Sequence, residues 1–295
     1  MKDKEQIFLN SFILVFFVLI VAFGLSIYNS PQWIDLARAF LSGQLHFLNP
    51  PINPIDSVFF EGNYYWPLGP LPAVVFMPIV WISSFLGGVL VQWPLQFLLS
   101  AVIFWTVFRF SNVLGYSSND AKWWSIAFLF ASPLIWIVLS PKYGYLPYEF
   151  SVLFTLLALL EYLGKKRWWL VGFLSALTFL TRPTAGLVII FFALELFFSQ
   201  DKDKKRSLFL LILPIIIAGF LLGGYNYLRF GGFLEQGYSY QMVSNESLEQ
   251  ARSYGLLSPT HVPGNLYYLL FAAPQPVFRD TISHVLTFPY IKADP

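Results

Sequence analysis

Asp56 follows the proline-rich run Asn49-Pro50-Pro51-Ile52-Asn53-Pro54-Ile55 and precedes Val58, Phe59 and Phe60. A stiff backbone holds a carboxylate in place, and apolar neighbours raise its pKa once it is buried, so Asp56 suits a general base. The plain alternative is a turn aspartate bonded to its own backbone. Asp35 stands three residues before Arg38 on a helical pattern and reads either as a base or as half of a local ion pair. Arg182, between Thr181 and Pro183, and Arg229, in Tyr225-Asn226-Tyr227-Leu228-Arg229-Phe230-Gly231, carry planar forks that bind phosphate oxygens in pairs. Snorkelling toward lipid headgroups accounts for Arg182 equally well. Glu149, in Tyr145-Leu146-Pro147-Tyr148-Glu149-Phe150, either positions a sugar or metal or sits among headgroups. Cysteine is absent, and His46, His261 and His284 are scattered, so disulfides, thiolate catalysis and Cys/His zinc sites are excluded. A divalent metal would need carboxylates.

The elements that must position these groups are apolar. Only 12% of the 295 residues are charged, 57% are hydrophobic and 20% are aromatic, with a mean hydropathy of +0.62. A soluble domain carries about 25% charged residues, so the solvent for most of this chain is expected to be lipid, and the fold class is an all-α, polytopic integral membrane protein. A net charge of +2 without a basic arm leaves no footprint for nucleic acid. Runs of spanning character are Ile7–Ile27, Leu68–Gly88, Val91–Phe108, Trp123–Ser140, Tyr148–Leu163, Trp168–Leu180, Thr184–Phe198 and Ser207–Tyr225.

Basic clusters lie at Arg109 with Lys122, at Lys165-Lys166-Arg167, and at Lys202 with Lys204-Lys205-Arg206. The positive-inside rule places all three in the cytoplasm only if Leu68–Gly88, interrupted by Pro70, Pro72 and Pro78, lies on the outer surface or re-enters. About seven spans then remain in residues 1–225, with the N-terminus cytoplasmic and a turn at Thr181-Arg182-Pro183 on the outer face. Two extracytoplasmic loops, residues 28–92 and 226–295, emerge on that side. The first opens with an amphipathic helix, Pro31–Ser42, capped by Ser30 and ended by Gly43. The second carries short helices near Asn245–Tyr254 and Pro263–Phe271, and its lack of a closing span reads as truncation of a longer parent. Ionisable groups fall near span ends, which argues against a transporter.

The first span, the loop helix ending at Gly43, an acidic residue and then Gly62-Asn63-Tyr64-Tyr65-Trp66-Pro67-Leu68-Gly69-Pro70-Leu71-Pro72-Ala73 resemble the GT-C glycosyltransferases, which include protein O-mannosyltransferases and lipid A aminoarabinose transferases. Gly172–Thr184 and Tyr225–Gly231 resemble bacterial members. The resemblance implies a GT-C-like helical module in a bacterial plasma membrane that moves a sugar from a polyprenyl-phosphate donor to a lipid, glycan or protein acceptor, with inversion. It implies a first-loop carboxylate as base and an arginine on the lipid phosphate. Asn226, Tyr64, Tyr65 and Glu149 join Arg182 and Arg229 as substrate-binding candidates. The acid that the family carries after its first span aligns near Asn29, so the role passes to Asp56, or to Asp35. Some relatives use a divalent metal. A polyprenyl-lipid or solute transporter is the alternative from another class, and a non-catalytic membrane scaffold a third.

Overall fold

The computed structural model describes residues 2–26, 31–87, 90–139, 144–200, 203–243, 246–255 and 258–271, and two dipeptide strands near the C-terminus. In chain order these form α1 (Lys2–Ser26), α2 (Gln32–Leu41), β1 (Val58–Phe60), β2 (Asn63–Tyr65), α3 (Leu71–Leu86), α4 (Trp93–Val113), α5 (Ser118–Phe130), α6 (Leu134–Leu139), α7 (Leu146–Leu163), α8 (Trp168–Thr181), α9 (Val188–Phe198), α10 (Lys204–Phe230), α11 (Glu246–Ser253), α12 (His261–Leu270), β3 (Val277–Phe278) and β4 (Leu286–Thr287). The chain is mostly helical. Among the described residues α4, α7 and α10 are long and apolar enough to cross a membrane.

Local chemistry explains the boundaries. Proline falls within the first two positions of α3, α4 and α7, where its missing N–H costs nothing. Ser117 caps α5 by accepting from the Asp120 N–H. The single helix expected over Trp123–Ser140 is instead two. Pro133 cannot continue α5, and the Ser132 hydroxyl accepts from the Leu134 N–H to start α6. The second loop begins later than residue 226, because α10 runs on to Phe230 before Gly231 takes the left-handed conformation that ends it. The loop helices match Pro31–Ser42, Asn245–Tyr254 and Pro263–Phe271 to within two residues. Pro31 precedes α2 without a side-chain cap, and Ser30 lies outside the described residues.

The helices pack in the order α5, α4, α7, α8, α10, with α1 against α4 and α5 and with α2 laid along α3. Directions follow from two contacts. Ser100, early in α4, bonds Glu149, early in α7, so these helices start at the same end. A Cβ on Gly172 would lie 2.2 Å from the Leu211 carbonyl oxygen, so α8 and α10 also run parallel with their backbones touching. Arg109, Lys122, Lys165-Lys166-Arg167 and Lys204-Lys205-Arg206 therefore share one end of the bundle. The Asn10 side chain of α1 meets Lys122 there at 2.9 Å. The opposite end carries the C-termini of α8 and α10, and Gly69, whose added Cβ would stand 2.0 Å from the Leu180 carbonyl oxygen. The chain enters α3 at this loop end and begins α4 at the same end.

Gly172→Ala is expected to cost about 1–3 kcal/mol by forcing α8 and α10 apart. Gly219→Ala, on a part of α10 with nothing within 4 Å, should be neutral or slightly stabilising because alanine favours helix. Thermal unfolding in detergent reads the difference, and equal behaviour of the two variants refutes the close contact.

Candidate functional site

The two loops meet in a short β-like seam. The Asp56 N–H donates to the Met242 carbonyl at 3.0 Å, the Met242 N–H to the Ser57 carbonyl at 2.8 Å, and the Gln241 amide to the Asp56 carbonyl at 3.0 Å. Arg252 clamps Gln241 from behind, with Nη1 on its carbonyl and Nη2 on Oε1, both at 2.7 Å. Proline stiffness and the Val58–Tyr65 hairpin leave Asp56 to make the bend, at φ +68°. Aspartate tolerates this left-handed backbone better than most residues. Asp56 is half-buried on the seam.

Asp35 is held differently. Its carboxylate accepts from Arg38 Nη1 at 2.7 Å, with both side chains partly exposed. Burial raises its pKa, and Arg38 acts in the opposite direction. The ion pair is present, and it occupies the carboxylate.

Arg182 breaks α8 with an extended backbone, φ −143° and ψ 110°, just ahead of Pro183. Its guanidinium lies 4.1 Å from the centroid of the Tyr148 ring. Tyr238, beyond α10, closes on the same group: burial raises its hydroxyl pKa, while the nearby Arg182 charge lowers it. No hydrogen bond or ion pair engages the Arg182 side chain among the described residues. The arrangement is a half-open cation on an aromatic plate, with donors to spare for an anion. Tyr238 sits three residues before Gln241, which ties this plate to the Asp56 seam.

Arg229 and Asn226 lie on the last turns of α10 rather than in the loop. Arg229 is 4% exposed. It donates to the Trp66 carbonyl at 2.7 Å, the Asn226 side chain at 2.8 Å and the Tyr225 carbonyl at 3.3 Å. The Tyr225 and Phe230 rings flank it at 3.8 and 4.6 Å. Asn226 in turn donates to the Phe233 carbonyl. One of its three bonds thus holds the chain ahead of α3, and the other two stay within α10. Tyr65 packs on Phe230 and is buried, which raises its pKa, while Tyr64 packs on Phe59.

Glu149 is 0% exposed, enclosed by protein. Ser100 donates to its Oε1 at 3.2 Å, and Gln92 donates to Gln96 in the turn before. Among the described residues, Glu149 Oε2 and Gln96 Nε2 have no partner at hydrogen-bond distance. Sequence reading passed over Gln92, Gln96 and Ser100, although their spacing of four along an apolar helix signals one polar stripe. Tyr238 carried no such signal. Among the described residues no three acids or histidines converge as a metal set. His46 and His261 sit on the carbonyls of Phe47 and Gly255, and His284 lies outside the described residues.

Comparison with family models, curated proteins and solved structures finds no match for this chain.

The two arginines should separate by stability. Arg229→Ala strands buried carbonyls and is expected to cost about 3 kcal/mol, whereas Arg182→Ala loses only a half-exposed stacking contact worth less than about 1 kcal/mol. Chemical denaturation in detergent checks this, and equal losses mark Arg182 as part of the scaffold.

Proposed function

We propose that the chain is membrane-embedded, with its basic end cytoplasmic, and that the loop end transfers a sugar from a polyprenyl-phosphate donor to an external hydroxyl acceptor. The observation that carries this reading is the unspent guanidinium of Arg182, stacked on Tyr148 and approached by Tyr238, at the end opposite every basic cluster. A cation so placed suits a lipid-linked phosphate arriving at the outer membrane surface. The resemblance to GT-C glycosyltransferases noted from the motifs adds the reaction class.

Asp56 then accepts the proton of the acceptor hydroxyl. The acceptor oxygen attacks the anomeric carbon, the bond from that carbon to the phosphate oxygen breaks, and the electron pair leaves on the lipid phosphate beside Arg182. One displacement gives inversion. Asp35, already paired to Arg38, ranks second as base. Arg229 and Asn226 serve by holding the Trp66–Gly69 segment, and Tyr64 lines the approach. The acceptor is a lipid, a glycan or a protein. A plasma membrane of bacterial type fits the polyprenyl carrier.

The buried Glu149 set favours a second reading, a transporter, because acids inside helical membrane bundles commonly serve ions or solutes. Glu149→Gln separates the two: loss of solute flux in proteoliposomes with sugar transfer intact supports transport, and unchanged flux removes it.

Asp56→Asn keeps a residue that tolerates the left-handed backbone, and should lower transfer from a polyprenyl-phosphate sugar at least about 100-fold while leaving the melting temperature in place. Retained activity refutes the assignment. Sidedness is checked separately, on intact cells with an impermeant maleimide. A cysteine at Ile52, 88% exposed in the first loop, should label and one at Ser199 should not, and the reverse pattern overturns the orientation.

A further inference from the structure

The basic end carries a second built feature. Between the α7–α8 turn and the α9–α10 turn lies a cavity of about 610 Å³, bounded by Lys166, Ser199, Gln200, Asp203, Arg206 and Leu210. Lys166 is raised on a left-handed residue, φ +51°, and its ammonium rests 5.2 Å from the Tyr162 ring centroid without an ion pair. Arg206 has no ion pair or side-chain hydrogen bond among the described residues. Asp203, the acid on this rim among the described residues, is itself partnered. The cations outnumber it, and α8 and α10 both begin here, so their positive N-terminal ends face the same space. The cavity is polar and suited to an anion.

It does not end at its floor. Leu210 is also a wall of an apolar groove of about 320 Å³ that runs between α8 and α10 past Trp169, Phe173, Leu213 and Ile217 to Leu221. From Leu210 to Leu221 the helix rises about 16 Å, close to the depth of hydrocarbon in one leaflet. Trp169, Phe173, Ile217 and Leu221 are each about half exposed along it. A polar, cationic cup joined to an apolar channel one leaflet long matches a two-part ligand.

We propose that this face binds one anionic phospholipid of the cytoplasmic leaflet, its phosphate between Lys166 and Arg206 and an acyl chain in the α8–α10 groove. The inference rests on the membrane reading above but not on sugar transfer. Neither the polar cup alone nor the groove alone selects this ligand, since a free phosphate needs no groove and a zwitterionic lipid gains little from two unpaired cations.

The test is native mass spectrometry of the full chain in detergent, titrated with phosphatidylglycerol and phosphatidylcholine of identical acyl chains. Phosphatidylglycerol should be retained on the order of tenfold more strongly, given the worth of basic residues near anionic headgroups. The double substitution Lys166→Ala with Arg206→Ala should erase the preference. Leu213→Trp, which fills the groove without changing charge, should weaken both lipids. Equal retention of the two lipids, a preference that survives the double substitution, or indifference to Leu213→Trp overturns the proposal. Displacement of the lipid by inorganic phosphate would overturn it too, by showing that the cup takes phosphate alone. Carbonate washing of membranes keeps the premises apart. A chain that washes out defeats the membrane reading, and one that stays without lipid preference defeats only this inference.

Discussion

A single buried cation, Arg229, holds the loop end together. Its guanidinium joins the last turn of α10 to the Trp66 carbonyl, and the Tyr225 and Phe230 rings seal it from solvent. Trp66 meets Trp33 of α2 at 5.8 Å and Phe47 at 6.3 Å, so the tether reaches the largest apolar cluster through one residue. Gly69, three residues on, is then pressed against the carbonyls at the end of α8, where any side chain would clash. The guanidinium therefore fixes where the first loop ends, and thereby where α3 begins. A charge buried this deeply is tolerated because nearly every direction of its fork meets an oxygen or an aromatic face.

The same end shows why one arginine is structural and another is available. Arg229 lies inside the helix, where its donors must be met by the protein. Arg182 lies at a helix break, half-open, where water or a ligand can meet them. Both rest on tyrosine faces. Position relative to the helix end, more than residue type, divides the roles. The seam from Asp56 to Met242 uses main-chain hydrogen bonds for most of its closure, and these constrain the backbone of Asp56.

Much of the architecture was legible from periodicity and punctuation. Gly43, Gly87 and Gly231 end helices with positive φ, and prolines start α3, α4 and α7, as composition rules anticipate. Ion pairing of Asp35 with Arg38 followed from their spacing of three. Long-range placement was less legible. Arg229 looked like a ligand group because a lone arginine near an apolar run says nothing about carbonyls from a segment 163 positions away. Glu149 looked superficial because it stands near a helix start, yet it is fully buried, with Ser100 of α4 on its carboxylate. The helix expected over Trp123–Ser140 failed at Pro133, where hydrophobicity outweighed a breaker in the reading.

The polarity of the bundle joins these threads. Every described basic cluster is at one end, and the seam, the Arg182 plate and the Gly69 contact are at the other. Connectivity alone does not require this, since a chain of antiparallel helices alternates ends and could have scattered its charges. Here α4, α7 and the return through α3 all start at the loop end, so each intervening turn at the far end could be basic without placing a cluster beside the seam. The loop end holds separate arginines rather than clusters: Arg38 paired to Asp35, Arg252 bonded to Gln241, the buried Arg229 and the half-open Arg182. Of these, Arg182 is the one whose side chain no described residue engages by a hydrogen bond or ion pair. The far end instead gathers its cations into clusters, and beside them the groove at Leu210 sets an apolar channel against a polar cup.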